Sequence, residues 1–184
     1  MNLDLLHSKI LSCQLCDLAL GRTKAVPGEG PCPAGIMLVG EAPGADEDVT
    51  GRPFVGRAGR LLDRSLGLAG INRSEVFITS VVKCRPPLNR KPKGTEIESC
   101  HHYLQSQIDL VRPRVIGLMG NVAIGALLNL QGVTALRGQV LQGRFLVTFH
   151  PAAVLRNNNL QEVFVSDLKK IKEMEQKMNI SRDR

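Results

Sequence analysis

The chain has 184 residues, which corresponds to roughly one domain at about 150 residues per domain. Hydrophobic residues make up 43% of it and charged residues 22%, so the chain can bury a core and is not a disordered segment. No apolar run reaches the roughly 18 residues that a membrane span needs, and residues 1–10 lack the basic start and apolar centre of a signal peptide. We therefore expect a single domain over 1–184 that is neither a membrane protein nor a secreted one.

The charge balance points to an anionic partner. The net charge is +7, from 24 Lys and Arg residues against 17 Asp and Glu residues. Nucleic acid heads the list of partners for a basic domain of this size, although a basic surface can also simply aid solubility. Aromatic residues make up only 3%, with no Trp and a single Tyr, Tyr103. A broad aromatic platform for stacking runs of single-stranded bases is therefore excluded.

The hydrophobic pattern alternates between helical and strand-like segments, with no internal repeat. The runs over 35–40 and 114–119 are short and apolar, as in buried parallel strands. Thr95 followed by Glu98 predicts a capping box at the start of a helix. In chain order we predict a helix over 2–12, a strand over 35–40, a helix over 58–69, a strand over 75–82, a helix over 95–111, a strand over 114–119, a helix over 121–130, a hairpin over 138–149 and a helix over 160–177.

These elements predict an α/β fold, a three-layer α/β/α sandwich around a central, mostly parallel sheet of four strands. The second arm of the 138–149 hairpin supplies the fourth strand, and the polar tail over 175–184 is expected to fray. In such sheets ligands bind beyond the carboxyl ends of the strands. Residues capable of chemistry follow all four strands: Gly40-Glu41, Ser80 to Asn89, Gly120-Asn121 and His150-Pro151.

The cysteine spacing indicates a metal site. Cys13 and Cys16 form a Cys-x-x-Cys pair, while Cys84 and Cys100 lie far downstream with 15 residues between them. Four thiolates from two distant segments can bind one tetrahedral metal or one iron–sulfur cluster, and the spacing does not separate zinc from iron. The alternatives are ordinary buried cysteines or, for the first pair, a redox pair. Cys32 lies in a Pro/Gly-rich loop and is not expected to be a ligand.

The loops after the strands carry the residues that chemistry requires. The loop that begins at Gly40 can point backbone N–H groups at a ligand, and Phe54 either stacks on a flat ligand or caps the sheet. The acid-free basic run over 83–93 either contacts phosphates or is a solvated charge run. His150 is suited to donate a hydrogen bond or a proton, and the aliphatic residues after it can wedge into a base stack.

Three stretches resemble the family 4 uracil-DNA glycosylases, the iron–sulfur branch of the uracil-DNA glycosylase superfamily. They are GEAPGADEDVTGRPFVGRAGRLLD, VVKCRPPLNRKP and FHPAAVLRN, and the resemblance covers residues 3–175. It implies a monofunctional enzyme that flips uracil out of DNA and hydrolyses its N-glycosidic bond at the start of base excision repair. DNA is then the partner, and a sliding clamp or a repair polymerase are further candidates. We expect a monomer in a bacterial or archaeal cytoplasm.

The resemblance implies roles for residues of a base pocket. His150 matches the histidine that hydrogen-bonds O2 of the departing base, and Phe54 matches the aromatic residue that stacks on uracil. Backbone groups of Gly40, Glu41 and Ala42 would line the pocket. Glu41 is also the nearest carboxylate for positioning the attacking water, although a weakly held water suffices if the transition state is strongly dissociative.

The resemblance implies further contacts to DNA and to a cofactor. Asn89 matches a polar residue near the pocket. The four cysteines that match the ligands of a 4Fe–4S cluster are Cys13, Cys16, Cys84 and Cys100. The residues that would fill the space left by the flipped nucleotide are Val154, Leu155 and Arg156, and those expected to contact phosphates are Lys83 and Arg85.

Ser80 departs from the family pattern, which usually has Asn at this position. The Asn amide recognises uracil and rejects cytosine, whereas a Ser hydroxyl makes one bond at a time. Losing a paired base contact worth about 1–3 kcal/mol would make uracil excision slower or less selective by roughly 10- to 100-fold. Alternatively, a water fills the gap, or the pocket accepts another deaminated base such as hypoxanthine or xanthine.

Two other interpretations remain at this point. One is a non-catalytic iron–sulfur DNA-binding relative whose pocket has changed through Ser80. The other is a covalent binder that traps the abasic sugar with a histidine from an added basic loop, but His101 and His102 fall in a predicted helix. No lysine matches a Schiff-base position, so strand cleavage is not expected.

Overall fold

A computed structural model describes residues 2–180 as a five-stranded sheet between two layers of helices. The strands are β1 (Ile36–Gly40), β2 (Val76–Ser80), β3 (Val115–Met119), β4 (Val140–Leu141) and β5 (Phe145–Thr148). Their order is β2-β1-β3-β5-β4, in which β4 is antiparallel to β5 and the other pairs are parallel. The predicted α/β/α sandwich is confirmed, and the sheet has five strands rather than four because the short first arm of the hairpin also pairs.

Residues of β1 show how the sheet separates two cores. Met37 and Val39 pack against one helical layer, whereas Ile36 and Leu38 pack against the other, as the two-residue period of a strand requires. Within residues 2–180 the α-helices are α1 (Leu3–Leu11), α2 (Leu18–Gly21), α3 (Ala45–Thr50), α4 (Arg57–Leu68), α5 (Gly94–Val111), α6 (Asn121–Leu128), α7 (Val133–Leu136), α8 (Pro151–Arg156) and α9 (Gln161–Ile180). The first layer holds α1, α5 and α6, and the second holds α4, α8 and α9.

The amino end of α5 differs from the predicted capping box. The Glu96 carboxylate accepts the backbone N–H of Lys93 at 2.7 Å, so the helix begins at Gly94 and Thr95 lies inside its first turn. Arg90 donates to the same carboxylate at 2.6 Å. The prediction from Thr95 and Glu98 is therefore wrong, because a glutamate two residues earlier closes the turn and also holds the basic loop.

The long helix α9 covers one face of the sheet. Phe164, Leu168 and Ile171 are fully buried and pack in the core beneath β3 and β5. The helix extends to Ile180, three residues beyond the predicted bound of 177, and 181–184 lie outside the described residues. The expectation that the chain frays over 175–184 stays a prediction. No helix in the described part of the chain is both long and apolar enough to cross a membrane.

Candidate active site and cysteine pocket

A cavity of about 520 Å³ opens at the carboxyl ends of the parallel strands. Strands β2 and β3 lie on opposite sides of β1, so the chain connections diverge at this edge, where open α/β sheets bind their ligands. Six of the residues predicted for catalysis or base binding line the cavity: Glu41, Ala42, Phe54, Ser80, Asn89 and His150. The sheet therefore brings together side chains that are up to 109 positions apart in the sequence (from 41 to 150).

Gly40, the remaining predicted pocket residue, ends β1 beneath two rings. A Cβ atom at this position would lie 2.6 Å from Cζ of Phe54 and 3.4 Å from Nε2 of His150. The first distance is shorter than any normal carbon–carbon contact, so an alanine would displace the Phe54 ring. The missing side chain at Gly40 therefore lets an aromatic ring and an imidazole share one end of the cavity.

The imidazole of His150 presents a hydrogen-bond donor to the cavity. The backbone N–H of Ala152 donates to Nδ1 at 3.2 Å, which leaves the proton of the neutral ring on Nε2. The residue is partly exposed as a whole, but Nε2 is buried and has no hydrogen-bond partner in the described chain. Burial, helped by the positive charge of Arg156, lowers the pKa of His150 to about 4, so the ring is neutral at physiological pH.

The backbone of Phe54 is fixed by contacts on both sides. Its φ of 52° is left-handed, and the residue is 7% exposed. Arg73 donates to the carbonyl oxygen of Pro53 at 2.7 Å and to that of Phe54 at 3.4 Å. A Cβ at Gly59 would lie 1.8 Å from the Phe54 carbonyl oxygen, so α4 can approach this loop only with glycine there. These contacts position the ring in the cavity wall.

Glu47 ties the loop after β1 to the loop that carries Phe54. Its Oε1 accepts the backbone N–H groups of Val55 and Gly56, each at 2.9 Å, and its Oε2 accepts that of Gly44 at 3.0 Å. The sequence analysis missed Glu47 and Arg73. The available signal for Glu47 was its place three residues after Gly44, where a glutamate closes the first turn of a helix.

Glu41 lies between two cavities. It lines the 520 Å³ cavity and a neighbouring one of about 270 Å³, and His150 and Arg156 also line both. Burial raises the pKa of Glu41, while the positive charges of Lys91 and Arg156 oppose the rise. The Glu41 carboxyl group thus shares both cavities with His150 and feels the charge of two cations, Lys91 and Arg156.

Lys83 is not a DNA contact, which corrects the sequence prediction. It is 1% exposed, and its ammonium group donates to Thr79 Oγ1 at 2.7 Å, to the Ser80 carbonyl oxygen at 2.7 Å and to Gln107 Oε1 at 2.6 Å. Burial lowers the pKa of Lys83 to about 8. The buried ammonium group therefore holds the end of β2 through the Ser80 carbonyl oxygen. Ser80 itself is 5% exposed and lines the cavity.

The basic loop after β2 has a fixed conformation at its tip. Arg85 Nε donates to Asn89 Oδ1 at 2.8 Å, and the loop closes as a 3₁₀ turn over Pro87–Asn89. Pro86, Asn89 and Arg90 line the cavity. Arg85 is partly exposed, so its predicted phosphate contact remains compatible with its position.

Only part of the predicted wedge is accessible. Val154 is fully buried in the core beneath α8, so the prediction that it enters the DNA is wrong, because it would have to leave the hydrophobic core. Leu155 is partly exposed and Arg156 is exposed. Arg156 also lines the cavity, so the accessible face of α8 adjoins the candidate active site.

The four cysteines predicted as ligands line one pocket. Cys13 and Cys16 follow α1, Cys84 follows β2 and Cys100 lies on α5. Arg22 Nη1 donates to Cys84 Sγ at 3.1 Å, and the buried Lys83 lines the same pocket. Among residues 2–180 no three His, Cys, Asp or Glu side chains are arranged closely enough to form a complete metal site.

The donor set nevertheless fits an iron–sulfur cluster. Four thiolates are what such a cluster requires, and two buried or partly buried cations stand beside them. Burial raises the pKa of the Cys84 and Cys100 thiols, and the charges of Arg22 and Lys83 respectively oppose the rise. Cys32 is exposed, lies outside this pocket and donates to the Leu110 carbonyl oxygen at 3.4 Å.

Comparison with known proteins agrees with this geometry. The model of the Uracil DNA glycosylase superfamily matches residues 27–175. The type-4 uracil-DNA glycosylase of Pyrobaculum aerophilum is 47% identical, with 91% of this chain and 92% of the relative covered. The type-4 enzymes of Sulfurisphaera tokodaii and Archaeoglobus fulgidus are each 42% identical, with 94% of this chain covered and 84% and 93% of the relatives, respectively. The chain therefore belongs to the uracil-DNA glycosylase superfamily, and within it to the type-4 family.

Proposed function

We propose that this protein removes uracil from DNA by hydrolysing the N-glycosidic bond, and leaves an abasic site without cutting the strand. The observation that carries the proposal is the unpaired Nε2–H group of neutral His150 beside the Phe54 ring, in the wall of a cavity that three arginines also line. The names of the type-4 relatives support the same reaction. Bacterial and archaeal DNA lies in the cytoplasm, which is where this substrate would be met.

The base must leave the duplex to reach this cavity. The Phe54 ring offers a flat face for stacking, and the Nε2–H group of His150 donates to O2 of the uracil. Negative charge develops on the uracil as the glycosidic bond breaks, and a donor that is already in place stabilises this charge without reorganisation. Removing one such donor costs about 10²–10³ in rate in other enzymes. A neutral histidine retains its Nδ1 contact to Ala152 while it donates from Nε2.

Glu41 is the residue that we propose to position the attacking water. As the bond breaks, the sugar becomes cationic, and a carboxylate at the rim of the cavity both orients the water and favours the positive charge. Lys91 and Arg156 help to keep Glu41 ionised against the effect of its burial. Water then adds to the cationic sugar and releases one proton to solvent by way of Glu41, which gives the abasic site, and the uracil anion takes up one proton from solvent.

DNA contacts are proposed for the exposed residues around the cavity. Arg85 and Arg156 are suited to contact phosphates, and Leu155 is suited to fill the space that the flipped nucleotide leaves. Asn89 and Ser80 line the cavity from the end of β2, and we propose that they contact the base edge. The short Ser80 side chain leaves room for a water or for a larger deaminated base, which makes altered base choice the second candidate function.

We also propose that Cys13, Cys16, Cys84 and Cys100 hold a 4Fe–4S cluster. When bound, such a cluster links four points of the chain and has a structural role. Its ligands come from the segment after α1, the basic loop and α5, so it would fasten the basic loop next to the cavity. The cluster lies outside the base cavity and takes no part in the steps above.

The test is single-turnover excision with the protein in excess over labelled oligonucleotides that contain uracil, hypoxanthine or xanthine. Uracil release by the wild type, reduced about 10²–10³-fold in His150→Ala, is the expected result. The variant Leu20→Ala is a surface control, since this residue is 88% exposed on α2. Release of another deaminated base without uracil would establish the second candidate function. No release of any base would overturn the proposed activity.

A further inference from the structure

Leu88 is the most exposed large hydrophobic side chain among residues 2–180. It is 96% exposed, and it lies at the tip of the basic loop after β2. A single exposed leucine is common on protein surfaces and needs no explanation by itself. Leu88 differs from the other exposed hydrophobic residues because its backbone conformation and its location are also unusual.

The backbone at Leu88 is strained. Its φ of 54° is left-handed, which is energetically unfavourable for a leucine, and the following residue, Asn89, has a φ of 55°. Two prolines, Pro86 and Pro87, fix the chain just before it, and the Arg85 side chain donates to Asn89 Oδ1 at 2.8 Å. The loop therefore holds its apolar tip in one arrangement, and strain of this kind concentrates at functional sites.

The tip stands at the rim of the candidate active site. Pro86 and Asn89, which flank it in the loop, both line the 520 Å³ cavity. Strand β2 leads to Leu88 and β5 leads to Leu155, and β1 and β3 lie between them. At about 4.8 Å per strand spacing the two strands are about 14 Å apart, so the segments that carry the two leucines leave the sheet at different points of the edge where the cavity opens.

The surroundings of Leu88 are basic. Arg85, Arg90, Lys91 and Lys93 lie within the same loop, which contains no acidic residue over 83–93, and Arg90 forms an ion pair with Glu96. An apolar tip within a cationic rim matches a partner with a charged exterior and an apolar interior. Duplex DNA has these properties, since phosphates surround its base stack.

We infer that Leu88 is a second wedge, which inserts at a base step beside the flipped nucleotide while α8 approaches from the other side. The inference rests on the proposed uracil excision, and adds to it a contact that is made only with duplex substrates. A wedge offsets the cost of unstacking a base from its neighbours. Single-stranded substrates have little stacking to break, so the contribution of Leu88 is specific to duplexes.

The experiment compares single-turnover uracil excision from A·U duplex and single-stranded oligonucleotides. Leu88→Asn keeps a residue that tolerates the left-handed backbone but removes the apolar tip, and Leu88→Met keeps an apolar tip. The duplex-to-single-strand rate ratio should fall by about tenfold in Leu88→Asn and by less than about twofold in Leu88→Met. The matched control is Leu20→Asn, at an exposed leucine away from the cavity, and its ratio should equal that of the wild type.

An unchanged duplex-to-single-strand rate ratio in Leu88→Asn, which includes equal losses of rate on both substrates, would overturn the proposed wedge. Absence of uracil release by the wild type from both the duplex and the single strand would instead refute the proposed function. The wedge would then be tested by affinity, where Leu88→Asn must weaken binding to a duplex and spare binding to a single strand.

Discussion

The ring centroids of Phe54 and His150 lie 5.6 Å apart across the end of β1, with an interplanar angle of 38°. This relationship depends on Gly40, because a Cβ atom there would lie 2.6 Å from the Phe54 ring. We expect Gly40→Ala to displace the ring and reduce single-turnover uracil excision by about 10²-fold, as small misplacements in active sites do. The excision rate is measured together with a thermal melt, which shows whether the variant is still folded.

Gly67 supplies the control for that substitution. It lies on α4, and a Cβ there would meet no atom within 4 Å. Gly67→Ala should therefore leave excision unchanged and stabilise the protein by about 0.5–1 kcal/mol, the usual gain in a helix interior. Full activity in Gly40→Ala would show that the position of the Phe54 ring is not critical.

His150 is expected to titrate near pH 4, rather than near its ordinary value of 6.5. Its pKa is lower in the folded protein, so the neutral ring contributes stability in full above about pH 6.5, and that stability is lost as the pH falls towards 4. Nitrogen-detected NMR of a histidine-labelled sample follows the ring directly. A protonation midpoint near 6.5, or a proton on Nδ1 at neutral pH, would contradict the hydrogen-bonding scheme.

Lys83→Met is expected to destabilise the protein by about 1–3 kcal/mol, since it leaves buried acceptors on Thr79, Ser80 and Gln107 without their donor. Denaturant unfolding of the protein as purified measures this change. The control is Lys169→Met, at an exposed position of α9, which should stay within about 0.5 kcal/mol of the wild type. Equal stability of the two variants would show that Lys83 contributes little to the fold.

Cys13→Ser should lower the iron content and the visible absorbance of the purified protein, because a serine hydroxyl is a poor replacement for a thiolate ligand. Cys32→Ser is the matched control, since Cys32 is exposed and lies outside the pocket that the other four cysteines share. It should retain the iron of the wild type. Equal iron content in the two variants, or zinc in place of iron, would reject the proposed cluster.

Ser80→Asn tests how the cavity selects its base. An asparagine amide can make paired contacts to uracil, and we expect uracil excision to rise by roughly 10-fold or more. Competition between uracil and hypoxanthine substrates reports the change in selectivity. An unchanged rate would show that the Ser80 side chain does not limit excision.

The sequence predicted the sheet well because its strands are buried on both faces and therefore read as continuous apolar runs. Ile36–Gly40 and Val115–Met119 are completely buried, and their predicted bounds differ from the observed ones by one residue. The short helix Pro151–Arg156 was not predicted. Six residues are too few to show a helical period, and the packing of Val154 against α4 and α9 decides its conformation.

The site was partly predictable for a related reason. Residues directly after strands, such as Ser80 and His150, could be placed at one edge of the sheet, and the motifs identified the family. Lys83 could not be placed correctly, because a lysine within a basic run resembles a solvated residue. Its acceptors include Gln107, which lies 24 positions away and meets it only in the folded protein. Arg73 acts on the backbone carbonyl groups of Pro53 and Phe54, which leave no pattern in side-chain types.

The packing of α9 on the sheet has a consequence for folding during synthesis, because α9 follows every strand in the chain. Asp167 on α9 is buried and accepts a hydrogen bond from Thr148, two residues before His150, at 2.8 Å. Ribosomes add residues from the amino end, so every strand and every cavity loop is made before this helix. Until the segment that forms α9 has been made, the apolar face of the sheet that α9 covers stays open to water. The contact between Asp167 and the segment that carries His150 therefore forms only after α9 has been made.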